Sequence, residues 1–134
     1  TIKLLVGLLL VELGKNSQDI EIYSIDNYEK LLTIQSLKYI EEFYNKATLS
    51  ELAEKLNQPD YKISKLIKKH TKMTFKELLQ EKKLSKAIEL IKSTNYSVIE
   101  IIELVGYENS TYFYKIFKDK FGMTPREYRK LNII

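Results

Sequence analysis

The chain has 134 residues, enough for one domain with a modest hydrophobic core and a short extension. Apolar residues make up 44% and charged residues 30%, a balance typical of soluble globular proteins. The absence of cysteine and the single histidine exclude disulfides, thiolate nucleophiles and zinc centres built from cysteines or several histidines. Carboxylate chemistry is not excluded, but no motif supports it. We therefore expect a protein that is not an enzyme and that needs no cofactor and no metal.

The charge is distributed unevenly along the chain. Residues 1–27 contain 2 lysines and 4 acidic residues, whereas residues 28–134 contain 20 lysines and arginines and 14 acidic residues. The larger part is therefore basic, which is compatible with binding a phosphate polymer. Many basic proteins bind no nucleic acid, so the charge alone is a weak indication.

The N-terminal part of the sequence differs from the rest. Residues 2–13 are strongly apolar, but a stretch of this length is too short to cross a membrane, which takes roughly 20 residues. We interpret it as a helix that packs on another domain or on a second copy of the chain, rather than as a membrane anchor. Residues 14–27 start with glycine and are polar, which is typical of a linker. The sequence thus predicts a helix and linker at 1–27 and one main domain at 28–134.

The main domain is predicted to be all-α, because apolar residues recur at helical spacing from Tyr28 onward and no strand-like alternation follows. Helix starts are marked by capping boxes, in which a Ser or Thr is followed three residues later by Glu: Thr48/Glu51, Thr74/Glu77, Ser97/Glu100 and Thr124/Glu127. Further starts are predicted at Pro59 and Asn109. Helix ends are predicted at residues that tolerate the left-handed backbone conformation: Asn57, Gly106 and Gly122. The result is seven helices, at about 28–45, 49–56, 59–70, 75–92, 98–105, 110–121 and 125–131.

The chain contains an internal repeat. Residues 58–80 match residues 108–130 when shifted by fifty positions, with identical residues at five pairs: Lys65/Lys115, Lys68/Lys118, Met73/Met123, Thr74/Thr124 and Glu77/Glu127. Upstream, an offset of forty-nine aligns residues 48–52 with 97–101, so the one-residue difference falls in a turn. The chain therefore builds one supersecondary unit twice.

Each unit has the pattern of a helix-turn-helix, and the two units cover about 48–70 and 97–121. The second helix of each unit carries an apolar stripe on one side: Ile63, Leu66 and Ile67 in the first, and Phe113, Ile116 and Phe117 in the second. The other side is polar and basic: Tyr61, Lys62, Ser64, Lys65, Lys68 and Lys69 in the first, and Ser110, Thr111, Tyr112, Tyr114, Lys115 and Lys118 in the second. Such a face suits the major groove of DNA, because lysines reach phosphates and guanine edges and hydroxyls reach either.

The helix between the units, at about 75–92, sets their separation. At ~1.5 Å per residue it spans about 27 Å, whereas successive major grooves on one side of B-DNA are about 34 Å apart. With the widths of the helices added, a rod of this length could hold two recognition helices near that spacing, with slight bending of the DNA.

The sequence resembles the AraC/XylS family of bacterial transcription regulators over about residues 34–131. Three strings carry the resemblance in the first half: TLSELA at 48–53, ISKLIK at 63–68 and LSKA at 84–87. The more specific strings lie in the second half: VGY at 105–107, the pairs Tyr112-Phe113 and Phe117-Lys118, and FGMTPREYR at 121–129. The last string is similar to the signature of the family.

The resemblance implies a monomeric seven-helix domain that binds double-stranded promoter DNA in the bacterial cytoplasm, contacts RNA polymerase and acts as an activator. It implies base-facing positions on both recognition helices: Tyr61, Lys62, Ser64 and Lys65, and Ser110, Thr111, Tyr112 and Lys115. Lys68 and Lys118 complete the expected DNA-binding set, together with Arg126, for which a phosphate contact or an intramolecular contact is expected. Residues 1–13 are then the last helix of an upstream sensor or dimerisation domain, through which a homodimer could form.

The sequence departs from the family at three positions. Lys72 stands at a usual glycine, Ile102 at a usual alanine and Lys83 at a common arginine. The second recognition helix also has little basic charge in its first turn, so the second unit either reads bases or mainly holds the DNA backbone. The alternative function is a helical protein-interaction module in which the same faces bind an acidic partner.

Overall fold

The computed structural model describes residues 17–131, and the surroundings of side chains from residue 24 onward. This part of the chain folds into seven α-helices and contains no strand, as predicted. The helices are α1 (Ser17–Phe43), α2 (Leu49–Lys55), α3 (Asp60–Thr71), α4 (Phe75–Ser93), α5 (Val98–Leu104), α6 (Ser110–Phe121) and α7 (Pro125–Leu131). None of them has the length and apolar character needed to span a bilayer. The helix predicted at 2–13 lies outside the described residues.

The start of α1 differs from the prediction. The helix runs without interruption from Ser17 to Phe43, so residues 17–27 are helical where the sequence predicted a linker. The polar composition of this segment suggested a loop, but no glycine or proline lies between Ser17 and Phe43 to break a helix. The buried side of α1 includes Leu32, Ser36 and Ile40, spaced four positions apart.

The predicted capping residues begin the helices. The boxes at Thr74/Glu77 and Ser97/Glu100 are complete, with the hydroxyl and the carboxylate each accepting a backbone N–H bond. Thr48 and Thr124 accept the backbone N–H of the third residue, each at 3.2 Å. At the first of these two starts the Glu51 carboxylate accepts a bond from the Tyr39 hydroxyl at 3.3 Å. Asn109 caps α6 by accepting the backbone N–H of Tyr112 at 3.1 Å.

The two turns have equivalent hydrogen bonds, and the second turn contains one additional residue. Gln58 N–H donates to Ala53 O at 2.9 Å, and Tyr107 N–H donates to Ile102 O at 3.1 Å, an offset of forty-nine. Asn109 and Pro59 then occupy the cap positions of α6 and α3, an offset of fifty. Glu108 is therefore the additional residue of the second turn.

The side chains pack into two cores that share α4. The first core is formed by Ile40, Ala47, Leu52, Ala53, Ile63, Ile67 and Phe75. The second is formed by Leu84, Ala87, Ile91, Ile101, Ile102, Val105, Phe113 and Phe117. The start of α4 thus supplies Phe75 to the first core, and its later turns supply Leu84, Ala87 and Ile91 to the second. Ile102, which replaces a usual alanine, is accommodated at 3% exposure.

Direct contacts of the second turn with the end of α1 and with α4 fix the position of the second unit. Gly106, in the second turn, lies so close to the end of α1 that a Cβ atom there would be 2.2 Å from the backbone oxygen of Asn45. Lys83 of α4 donates a hydrogen bond to the Gly106 carbonyl at 3.0 Å. Lys82 of α4 forms an ion pair with Glu41 of α1. The second turn is therefore held by both α1 and α4.

Lys72 and Gly122 end α3 and α6 in the same way. Both residues have left-handed backbone conformations, with φ of 65° and 73°. Each donates its N–H to the carbonyl four residues earlier, at 3.0 Å for Lys72 and 2.8 Å for Gly122. Lysine therefore occupies a position that favours glycine, because its Cβ approaches the following carbonyl oxygen in this conformation.

Two separate variants, Lys72→Gly and Gly122→Lys, test the backbone strain of lysine in the left-handed conformation. Lys72→Gly is expected to raise the free energy of unfolding by about 1 kcal/mol, because glycine adopts the left-handed conformation without that contact. Gly122→Lys is expected to lower it by about the same amount, because nothing else lies within 4 Å of its new Cβ. Urea unfolding measures both variants, and a Lys72→Gly variant less stable than wild type would contradict this account.

Gly106→Ala is expected to lower the free energy of unfolding by about 3 kcal/mol or more, because it combines a left-handed backbone with a clash against Asn45. Gly122→Ala is the matched control, since its Cβ meets nothing within 4 Å and the expected cost is about 1 kcal/mol. Equal losses for the two variants in urea unfolding would mean that the contact between the turn and α1 yields easily.

Candidate nucleic-acid interface

One side of α3 forms the first polar face. Its residues are spaced three or four positions apart and therefore share one side of the helix: Tyr61, Ser64, Lys65 and Lys68. Tyr61 is 75% exposed, Lys65 and Lys68 are exposed, and Ser64 is half-buried. The opposite, apolar side of the helix is buried. The first polar face is therefore open to a binding partner.

Lys62, also predicted to bind DNA, lies beside this face and contacts α1. Its Nζ is 6.0 Å from the centre of the Tyr28 ring, and Gln58 Nε2 donates to the Tyr28 hydroxyl at 3.2 Å. Lys69, seven positions further along α3, pairs with Glu29 at 3.3 Å. The N-terminal half of α1 therefore covers this flank of α3 with an aromatic ring and a carboxylate.

A second carboxylate of α1 adds negative charge beside the end of α3. The pKa of Asp26 is held below its ordinary value, chiefly by a hydrogen bond from Lys30 and further by the charges of Lys69 and His70. Together with the Glu29–Lys69 pair, this partly neutralises the flank of α3 that faces α1. Among the described residues, the lysines of α3 without a carboxylate partner are Lys62 and the two lysines of the first polar face. Of these two, Lys68 donates to the Lys72 carbonyl at 3.1 Å.

The second polar face lies at the equivalent positions of α6. Shifting the first polar face by fifty residues gives Thr111, Tyr114, Lys115 and Lys118. All four side chains are exposed, while Phe113 and Phe117 on the other side are fully buried. The two helices thus present faces of the same layout, with two lysines each.

Tyr112 occupies the position equivalent to Lys62 and also contacts a neighbouring helix. Its hydroxyl donates to Gln80 Oε1 of α4 at 3.1 Å, and its ring lies 6.3 Å from that of Tyr107. Ser110, the first residue of α6, is half-buried. Of the eleven predicted residues, seven therefore belong to the two polar faces, and Lys62 and Tyr112 flank them and contact neighbouring helices. The other two are Ser110, at the start of α6, and Arg126 of α7.

Tyr114 belongs to the second polar face; the sequence placed it on the polar side of the helix but not in the predicted DNA-binding set. It is 38% exposed and lines a surface groove together with Arg126, Ser97 and Thr124. The repeat could have identified it, because an offset of fifty pairs it with Ser64.

The two arginines of α7 have different surroundings. Arg126 is exposed and faces the groove beside the second polar face, which leaves it available to a phosphate. Arg129 donates to the carbonyls of Ile91 and Thr94 at 3.2 and 3.4 Å. It therefore satisfies backbone oxygens at the end of α4, a position that also suits a positive charge.

Two helix-turn-helix units with exposed basic faces, held on one shared helix, define a bipartite DNA-binding domain. The family model described as a helix-turn-helix domain matches residues 52–131. The C-terminal domain of AraT, a response regulator from Geobacillus stearothermophilus, has 33% sequence identity and a TM-score of 0.72, over 77% of this chain and 87% of that one. The chain belongs to the AraC-type family of DNA-binding transcription regulators, which are not enzymes. The family expected from the sequence is thus confirmed.

Longer regulators are also similar to the chain. The xylose operon regulatory protein of Haemophilus influenzae is 31% identical over 99 residues, which cover 73% of this chain and 26% of the relative. The transcriptional activator RhaR of Mannheimia succiniciproducens is 29% identical over 123 residues, which cover 91% of this chain and 43% of the relative. The chain therefore spans less than half the length of these two relatives.

The contact between Tyr112 and Gln80 can be measured with a double-mutant cycle. Tyr112→Phe and Gln80→Ala are each expected to destabilise the domain slightly, with a coupling energy of about 0.5–1 kcal/mol because both remove the same hydrogen bond. A second cycle that combines Tyr114→Phe with Gln80→Ala is the control. Additive effects are expected there, since no bond joins Tyr114 to Gln80. Additive effects for the Tyr112 pair as well would mean that the bond does not hold the ring in solution.

Proposed function

We propose that the chain is a sequence-specific regulator that inserts α3 and α6 into consecutive major grooves on one side of promoter DNA. The observation that supports this most directly is the repeated polar face, because the same layout of lysines and hydroxyls recurs at an offset of fifty residues on two exposed helices. A major groove about 12 Å wide admits an α-helix, and it displays donor and acceptor patterns that such side chains can read.

The two faces are proposed to contribute differently. In the first, Lys65 and Ser64 have the chemistry to reach base edges, and Lys68 the chemistry to reach a phosphate. In the second, Thr111 and Tyr114 supply hydroxyls near the start and middle of α6. Because α6 has no cation in its first turn, where α3 has Lys62, we assign the second face fewer base contacts and more contacts to the DNA backbone.

The length of α4 supports binding to grooves on one side of the duplex. Its 19 residues span about 28 Å at ~1.5 Å per residue, less than the repeat of about 34 Å. Since the contacts of Gly106 with α1 and α4 fix the second unit, the DNA rather than the protein is expected to bend.

The proposed role in transcription is activation. RhaR and the protein AggR of Escherichia coli, which is 28% identical over 81 residues, are named as activators. An activator bound beside a promoter requires contact with RNA polymerase, and we include this partner and a cytoplasmic location in the proposal. We assign effector recognition and a homodimeric state to the whole regulator rather than to the domain described here.

The salt dependence of DNA affinity tests the first polar face. Lys65→Ala is expected to weaken binding to selected DNA about tenfold. It is also expected to reduce the magnitude of the slope of log K against log salt by about 0.9 or less, where 0.9 is the value for one phosphate contact. Lys86→Ala is the matched control, because Lys86 pairs with Glu89 at 3.2 Å on the linking helix, and no loss of affinity is expected. Weak binding that neither salt nor Lys65→Ala changes would overturn the proposal.

Selection of bound sequences from random DNA tests the use of two grooves. Two conserved boxes about one helical turn apart are expected if both recognition helices enter the duplex. A single box would show that the second unit only supports the first. Failure to enrich any sequence, with retained binding to acidic proteins, would favour the protein-interaction alternative.

A further inference from the structure

A cleft lies between the two helix-turn-helix units, apart from both polar faces. It has a volume of about 450 Å³ and is formed by the segment after α1, one side of α4 and the second turn. It reaches the start of both units, since Thr48, the cap of α2, and Asn109, the cap of α6, line it. The cleft therefore opens beside the start of the second recognition helix.

The cations of this cleft differ from those elsewhere on α4. Lys46, Lys76 and Lys83 line it, and none of them has a carboxylate within 4.0 Å among the residues from 24 to 131. By contrast, Lys82 and Lys86 of α4, outside the cleft, are paired with Glu41 and Glu89. Among the described residues, the lysines of α4 without a carboxylate partner are thus Lys76 and Lys83, which line the cleft, and Lys92. Lys83 also donates to the Gly106 carbonyl and lies over the Tyr107 ring, and Lys92 lies over the Tyr128 ring.

Neutral hydrogen-bond donors accompany the lysines. The side-chain amides of Gln80 and Asn109 line the cleft. The Tyr107 hydroxyl, in its wall, is buried without a partner among the described residues. Burial raises the pKa of Tyr107 and keeps this group protonated as a donor, whereas burial lowers the pKa of Lys83. Glu108 is the one carboxylate of the lining.

Three lysines and several donors around one acid have the chemistry that binds a phosphate diester. Two neighbouring major grooves on one side of B-DNA are separated by the minor groove and its phosphate strands. We propose that this cleft binds a backbone phosphate of the DNA strand that passes between the two recognition helices. The inference rests on the proposed function and adds a central contact that neither recognition helix supplies.

The test uses the whole chain and a duplex selected with the wild-type protein. Lys76→Ala is expected to weaken binding about five- to tenfold and to reduce the salt slope by about 0.9, the value for one phosphate contact. Glu108→Gln is expected to strengthen binding about two- to threefold, because it removes the negative charge of the cleft. Lys86→Ala is the control with a paired lysine. All three positions are on the surface, and equal thermal unfolding of the variants checks that they fold.

A duplex with one methylphosphonate linkage midway between the two boxes identifies the phosphate. Wild type is expected to lose affinity on this duplex by the same factor as Lys76→Ala loses on normal DNA, and Lys76→Ala is expected to lose little more. If Lys65→Ala behaves as described above but Lys76→Ala matches Lys86→Ala, the cleft proposal is wrong and the proposed function stands. If inorganic pyrophosphate binds the cleft while the methylphosphonate has no effect, the ligand is a soluble phosphate ester and the DNA assignment is overturned.

Discussion

Burial of one helix in two separate cores is the interaction on which the domain depends. Each helix-turn-helix unit has only one short helix and one recognition helix, and a unit of this kind cannot cover its apolar side alone. Phe75 at the start of α4 closes the first core, while Leu84, Ala87 and Ile91 close the second. Burial of a side chain as large as Phe75, Leu84 or Ile91 stabilises by about 1.5–3 kcal/mol. The same contacts that fold the units therefore also join them.

The contact of the second turn with α1 makes the connection rigid. A single helix would let the units rotate about its axis through small bends, but Gly106 lies against Asn45 and accepts a bond from Lys83. Three elements, α1, α4 and the second turn, thus meet at one place. The orientation of α6 relative to α3 follows from this junction as much as from the length of α4. The lysine that replaces a common arginine at position 83 serves the junction as a donor.

Most of the fold could be predicted from the sequence because its information is local. Capping residues, left-handed helix ends and the apolar stripes lie within a few positions of the structure they determine, and six of the seven helices begin and end within about a residue of their predicted bounds. The start of α1 could not be predicted by composition, since polar residues are compatible with both a linker and an exposed helix. The absence of glycine and proline between Ser17 and Phe43 is compatible with the observed helix. Further along, α1 contacts α3 through Glu29 and Lys69, forty positions apart, and local sequence does not reveal such contacts.

The sequence predicts the kind of site, a pair of polar and basic helix faces, better than it predicts which residues belong to those faces. The repeat identifies the lysines at 65, 68, 115 and 118, because identical residues recur at the offset of fifty. It does not reveal that Lys62 lies beside Tyr28, or that Tyr112 donates to Gln80, because these contacts join residues more than thirty positions apart. The sequence of one helix therefore indicates which side chains are polar, while neighbouring helices decide which of them remain available.

The distribution of charge follows from the same division. Some of the lysines that face a neighbouring helix are compensated by carboxylates, as in the pairs of Lys69 with Glu29 and Lys120 with Glu81. Lysines of the polar faces and of the cleft have no such partner among the described residues. A small net charge of +4 is thus compatible with basic patches on the side proposed to face DNA, because several of the carboxylates are paired with lysines elsewhere. Net charge is a weak guide to nucleic-acid binding in such a protein, and the pairing of each cation is the more informative quantity.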